Sequence, residues 1–287
     1  MKIEQKSDIA SPAPLARAPL SEQMGEIEAR VRAKPGVAAN RWALFQYLCV
    51  IGEWERAMQQ LQTYAQLDSS QTNHAHTYRD LVRAERAREK VLSGFLEPDY
   101  VFDDVPDWMR GLLAALGLFA QGEMQAADDA REKALNLAPL VAGAGAAHSF
   151  AWISDSDTRL GPVCEFFAAG RYRWLALDDI AAWHIGQPGS LADLVWAPCT
   201  LKLRDGAVLH GFMPARYPVL APEREARDTL LLGRETRWQE GGRTGVMASG
   251  GKTWLTSAGD VGLFELRECT FDHQGASRDS STGAQIT

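Results

Sequence analysis

The sequence predicts an α+β chain of two domains: an N-terminal tetratricopeptide-like (TPR-like) helical solenoid, then a small β-rich domain folded as a bent antiparallel sheet or partial barrel. Three observations carry this prediction. A helix pair recurs after about 70 residues, twice the period of about 34 at which tetratricopeptide helix pairs stack on one another. After Pro139 the helical period of apolar residues gives way to short β-prone segments separated by turn residues. The 287 residues are 46% hydrophobic and 23% charged, enough for two modest cores.

Residues 1–19 carry Ser, Pro, Ala and isolated charges without apolar periodicity, and 272–287 read "DHQGASRDSSTGAQIT"; both tails are expected to be disordered. Leu20, Met24, Ile27 and Val31 recur at helical spacing, and Lys34-Pro35-Gly36 ends that helix. The next, "NRWALFQYLCVI", is apolar on nearly all sides and so belongs between neighbours. Gly52 breaks it, and a third helix follows with Trp54, Ala57, Met58, Leu61, Tyr64 and Ala65 on one face. The second copy of this pair aligns Gly52-Glu53 with Gly122-Glu123, Ala57 with Ala127, Ala65 with Leu135 and Leu67 with Leu137. Between the copies, "TYRDLVRAERAREKVLSG" is a further helix that stops at Gly94. The helical domain is therefore placed at 20–140.

Beyond "LVAGAGAAH" and "SDSDTRLG" the β-rich domain is placed at 160–271. Its expected strands are 172–177, 194–197, 201–203, 208–213, 230–232, 246–248, 254–256 and 263–267, with one helix around 161–169 packed on the sheet. Arg204-Asp205-Gly206-Ala207 is a hairpin signal.

The stretch "GVMASGGKTW" ends like a nucleotide-binding P-loop, but the position that must be glycine is Val246, and no helix start follows Thr253. It reads instead as a hairpin, with Ser249-Gly250-Gly251-Lys252 as an exposed turn. Cys49, Cys164, Cys199 and Cys269 lack metal or redox spacing and read as reduced core residues. His74 and His76 alone do not make a metal site. Asp103-Asp104, Asp107, Asp128-Asp129 and Asp178-Asp179 read as solvated faces or helix starts, since adjacent side chains diverge. No nucleophile elbow is present, and neither an enzyme nor a cofactor is indicated.

A net charge of −7 and a pI near 5.4 argue against nucleic acid, and no apolar run approaches the roughly 18 residues of a membrane span. Without a signal-peptide core the chain is expected in the cytoplasm, with a protein partner. Of nine tryptophans most are expected in the core. The apolar excess of the second helix, where Trp42, Phe45 and Tyr47 point in different directions, marks a face for a partner helix. The candidate partner-binding residues are Trp42, Phe45, Tyr47, Trp54 and Tyr78.

On "LFQYLCVIGEWERAMQQLQTYAQLD", "YRDLVRAERAREKVLSG", "GPVCEFFAAGRYRWLALDDI", "DLVWAPCTLKLRDGAVLHGFMPARYP", "DTLLLGRETRWQE" and "GLFELRECTF", taken in order, the chain resembles the ImpE/TagJ (SciE) family of bacterial type VI secretion accessory proteins. The resemblance runs from about Leu20 to Phe271. It implies a non-enzymatic cytoplasmic adaptor that captures an N-terminal helical segment of the small contractile-sheath subunit. Such an adaptor would bear on sheath assembly or on recycling by the sheath-disassembling AAA+ ATPase. The alternative is a small-ligand or catalytic β-domain regulated by the helical repeat, which a polar pocket around Glu165, Arg171 and Tyr172 would favour.

Overall fold

The structure, a computed structural model, describes residues 18–147, 149–218 and 228–272. Most of the two tails expected to be disordered therefore lies outside the described residues. At their inner edges, Pro19 already caps the first helix and Asp272 ends the last strand.

The helical region begins with α1 (Leu20–Ala33), whose Ile27 and Val31 are buried and whose first N–H is bound by Asp228 Oδ2 at 2.8 Å. Then come α2 (Ala38–Ile51) and α3 (Trp54–Leu67), and later α5 (Asp107–Ala120) and α6 (Met124–Leu137). The two hairpins close identically. Gly52 sits at φ 77° and Gly122 at φ 82°, a left-handed conformation that costs other residues about 1 kcal/mol. In each, the glycine N–H returns to the carbonyl three residues back (Cys49, Phe119), and the following glutamate N–H to the carbonyl five back (Leu48, Leu118). Ala57 and Ala127, one turn into the next helix, are both buried to within 1%. The predicted internal repeat is present in these turns. Between the copies runs α4 (Thr72–Leu92), packed on α3 and on the sheet.

The strands are β1 (Asp99–Tyr100), β2 (Ala142–Gly145), β3 (Ser149–Phe150), β4 (Ile153–Asp155), β5 (Val163–Ala168), β6 (Arg171–Ala176), β7 (Ile180–Ile185) and β8 (Trp196–Leu203). They continue with β9 (Val208–Pro214), β10 (Arg216–Tyr217), β11 (Thr236–Glu240), β12 (Val246–Gly251), β13 (Thr253–Thr256), β14 (Gly259–Gly262) and β15 (Glu268–Asp272). A nine-stranded sheet runs β1-β6-β5-β9-β8-β7-β15-β2-β3, antiparallel except at the β1–β6 edge. Two three-stranded sheets, β10-β12-β11 and β14-β13-β4, complete the region.

Four local expectations fail for physical reasons. The helix expected around 161–169 is β5, whose residues Val163 to Phe167 are all buried and so show no alternation to read. The strand expected at 230–232 lies mostly in a short helix, α7 (Asp228–Leu231), closed by Gly233. The strand expected at 263–267 is the link between β14 and β15. The turn expected at 249–252 is strand: β12 runs through Gly251, paired to β11 and β10 on its two sides. The glycines serve close approach here, since a Cβ on Gly250 would lie 2.0 Å from the Glu235 carbonyl oxygen. The expected hairpin signal at 204–207 does join β8 to β9, with Gly206 at φ 90°.

The helical and strand-rich regions share one apolar core. Phe45, Leu81 and Met109 from the helices belong to the same buried cluster as Phe167, Trp174 and Trp196 from the sheet. A second cluster lies wholly within the strand-rich region and contains Cys164, Cys199 and Cys269. All four cysteines are free and buried, as expected of reduced core residues.

Candidate functional site

The candidate partner residues do not all meet. Trp42 and Phe45, one turn apart on α2, stack at 5.1 Å, and Tyr78 from α4 stands edge-on to Trp42 at 4.8 Å. Tyr78 then leads to Trp196 at 6.2 Å, and Trp196 to Trp54 at 6.0 Å. Four of the five candidates thus lie along one line of rings that starts at the surface of α2 and α4 and ends in the shared core. Tyr47 stands apart, donating its hydroxyl to Gln23 Oε1 on α1 at 2.7 Å. Phe45 and Trp54 are buried, whereas Trp42, Tyr47 and Tyr78 are half-buried.

Two rings that sequence reasoning left out complete the surface end. His74 packs 4.4 Å from Trp42 and 5.0 Å from Tyr78, and Tyr64 tilts against Trp42 at 5.5 Å. His74 and Tyr78 are four apart on α4, a same-face spacing that could have signalled their pairing. Burial lowers the His74 pKa, and burial followed by the nearby Asp193 carboxylate raises that of Tyr78 to about 12. These rings are therefore uncharged at neutral pH and suited to apolar anchors.

Behind it lies a buried charge network that joins α4 to the strands. Glu165 on β5 takes Arg88 Nε (2.7 Å) and Tyr172 Oη (2.6 Å) on one oxygen, and Arg88 Nη2 (3.0 Å) and Lys252 Nζ (2.7 Å) on the other. Lys252 also holds Asp155 Oδ2 at 2.5 Å, and Asp155 Oδ1 accepts from Tyr217 Oη. Arg88 further donates to Glu85, whose other oxygen receives the Trp196 indole N–H at 3.1 Å. The predicted exposed turn lysine is thus only 2% exposed and doubly ion-paired.

Removing charges from water costs several kcal/mol each, so such a group persists only where partners meet it. Burial alone would raise the Glu165 pKa, but Arg88 and Lys252 outweigh it and hold the carboxyl well below its usual value. Asp155 has the weaker share: burial raises it to about 6 against the pull of Lys252, with the Glu165 charge adding to the rise. Burial would lower Lys252, yet its two carboxylates raise it. Every polar atom of Lys252 and Glu165 is spent on the chain's own groups, which makes the network a structural tie. Arg171, by contrast, pairs with Asp99 at the surface, so Glu165, Arg171 and Tyr172 converge on no common pocket.

Two more ties cross between regions. Arg216 of β10 donates to the Cys49, Val50 and Leu231 carbonyls at 2.9, 2.6 and 2.6 Å, placing a cation at the end of α2 where the helix dipole favours one. Asp128 of α6, expected on a solvated face, is buried. It accepts the backbone N–H groups of Arg243 and Thr244, which lower its pKa to about 2, and pairs with Arg131. Sequence reasoning missed it because its partners lie 115 and 116 residues away. Among the described residues no helix is long and apolar enough to cross a membrane, and no group of three or more His, Cys, Asp or Glu could hold a metal ion.

With this geometry in place, comparison with known proteins is informative. A family model described as ImpE protein matches residues 147–270. The type VI secretion system accessory component TagJ of Pseudomonas aeruginosa is 37% identical over 253 residues, 88% of each chain. A crystal structure of a Vibrio parahaemolyticus protein, 23% identical, covers 89% of this chain and 94% of its own at a TM-score of 0.80, so the fold is one already observed.

Proposed function

Because the chain belongs to the ImpE/TagJ family of type VI secretion accessory components, we propose that it is a non-enzymatic adaptor that binds an N-terminal helical segment of the small contractile-sheath subunit. In this reading the adaptor acts on sheath assembly, or on its recycling by the AAA+ ATPase. The observation that supports it is the aromatic face of half-buried Trp42, His74 and Tyr78, backed by buried Tyr64 and set on three helices. An amphipathic helix binds by inserting apolar anchors at helical spacing into such a face.

The test is calorimetric titration of the full-length protein with a synthetic N-terminal peptide of the sheath subunit. The full chain is needed because a cut near residue 138 would expose Arg88 and remove the strand side of the shared core. Trp42→Ala and Tyr78→Ala should each weaken binding about thirtyfold, roughly 2 kcal/mol, with circular dichroism verifying the fold. Undiminished binding in both folded variants would place recognition elsewhere; no binding by the wild type would overturn the adaptor reading itself.

A further inference from the structure

The second hairpin carries a surface unlike the rest of the helical region. α3 turns Glu55, Arg56 and Gln59 to solvent, and α6 turns Gln125, Asp129, Glu132 and Lys133, as an amphipathic surface helix should. α5 does not. Beyond Arg110 its outward positions are Leu113, Ala114, Gly117 and Ala120, at helical spacing and all at least partly exposed. Gly117 is the more telling for costing about 1 kcal/mol against alanine in mid-helix, while a Cβ there would meet nothing within 4 Å. Nothing among the described residues requires that glycine.

The facing wall is held in place by Gly94, at φ 77°, which closes α4 so tightly on α5 that a Cβ would lie 2.4 Å from the Leu116 carbonyl oxygen. Phe95 N–H returns to the Lys90 carbonyl at 2.9 Å. In this type of helix end the residue after the glycine commonly packs on an apolar side chain at the position where Lys90 stands. Phe95 has no such partner and is 77% exposed, followed by Leu96 at 44%. Phe95, Leu96 and Tyr100 on one side and Leu113, Ala114 and Gly117 on the other wall an open groove of about 720 Å³.

Acidic residues outnumber basic ones around the groove, whose own lining holds Glu97 and Arg110. Glu97 lines it, and Asp103, Asp104 and Asp107 stand exposed where α5 begins, while Arg110 is engaged by Asp107 at 2.9 Å. A helix start accounts for Asp107 but not for the other three. A second copy of this chain would bring the same acidic end against itself at a net charge of −7 each, which disfavours self-association here.

We propose that this groove docks a basic amphipathic helix of a partner protein. Its apolar stripe lies on the bare face of α5, close approach being allowed by Ala114 and Gly117, and its Lys or Arg residues reach Glu97, Asp103 and Asp104. The surface is on the hairpin that does not carry Trp42, so it stands independently of the aromatic face.

The test titrates full-length protein, by fluorescence anisotropy, with a labelled Leu/Lys amphipathic peptide of about 18 residues, five turns, and with its Leu/Glu counterpart. The Lys peptide should bind and the Glu peptide should not. Gly117→Phe, whose Cβ would meet nothing within 4 Å and whose ring would occupy the groove, should weaken binding at least about tenfold, while Trp42→Ala should leave it unchanged. Phe95→Asp, at an exposed loop position, repeats the test should Gly117→Phe fail to fold. The proposal is overturned by absence of Lys-peptide binding, by equal binding of both peptides, or by binding undiminished in the folded groove variants. Sedimentation showing a dimer that Gly117→Phe dissolves would assign the groove to a second copy and overturn it as well.

Discussion

The two helical hairpins have the same turn and opposite attachments. Gly52-Glu53 and Gly122-Glu123 close α2–α3 and α5–α6 with the same pair of backbone hydrogen bonds. Yet the strand-rich region reaches the first hairpin with a cation, Arg216 on the last carbonyls of α2, and the second hairpin reaches it with an anion, Asp128 on the loop at 243–244. The first attachment continues inward through α4 into the Arg88–Glu165–Lys252–Asp155 network; the second ends at a surface loop. Turn chemistry therefore sets the shape of each unit. Its surroundings decide which face is covered: α2 lies between α1, α3 and the turn at 192–194, while α5 keeps one side bare.

If the attachments differ as described, damage to the first should be global and damage to the second local. The largest effect belongs to Lys252→Met, which leaves Asp155 and Glu165 buried without their shared cation; breaking such a pair costs about 3 to 5 kcal/mol. Urea unfolding measures it, and a loss under 1 kcal/mol would break the comparison at its root.

Next comes a pH effect. A carboxyl whose folded pKa is raised binds its proton more tightly when folded, so its contribution is full below the usual 3.8 and is lost as pH rises through about 6. Between pH 4 and 6.5 Asp155 should therefore subtract about 2 to 3 kcal/mol of stability from the wild type as pH rises. Asp155→Asn should flatten that part of the profile. Parallel profiles for the two proteins would show that Asp155 is not the titrating group.

The shared turn is sharpened by Ala57→Leu and Ala127→Leu, each expected to overpack its hairpin by about 1 to 3 kcal/mol. A large loss at one site and none at the other would show that the turns match while the helix packing does not. The smallest effect is expected for Arg243→Ala, which leaves the buried Asp128–Arg131 pair intact and removes only exposed pairs with Asp129 and Glu132. Hydrogen exchange should speed up at Thr244 with little change in melting temperature, and a cooperative loss of the whole fold would place this attachment on a par with the first.

Much of the helical region was legible because its information is local. Apolar period, Gly52, Gly94 and Gly122 as stops, and the Gly-Glu repeat all act within one or two turns. In the sheet, Asp205-Gly206 was legible for the same reason, whereas β5 was not, since burial on both faces erases alternation. The aromatic face was legible in part. Trp42, Phe45 and Tyr78 could be picked as rings on helices, but that Trp196 joins them is decided by tertiary packing. Lys252 was the least legible residue of all. Its environment is made by Glu165 and Asp155, 87 and 97 residues earlier, and a Gly-Gly-Lys sequence taken alone looks like a turn.

The position of β15 bears on how the protein is made. This strand, 268–272, lies inside the nine-stranded sheet, between β7 and β2, with β3 beyond. A nascent chain can form both helical hairpins early, since their contacts are local and such units fold fast. Until those five residues have left the ribosome, however, the sheet exists as two separate pieces, and β2 with β3 has nothing to pair with at its inner edge. At about 5 to 20 residues per second, the helices wait several seconds after α6 for the strand that joins the pieces. A chain cut short before 268 would carry an open seam and an unpaired strand edge, the kind of exposed template that chaperones and proteases act on. The sheet is thus completed only in chains translated through β15.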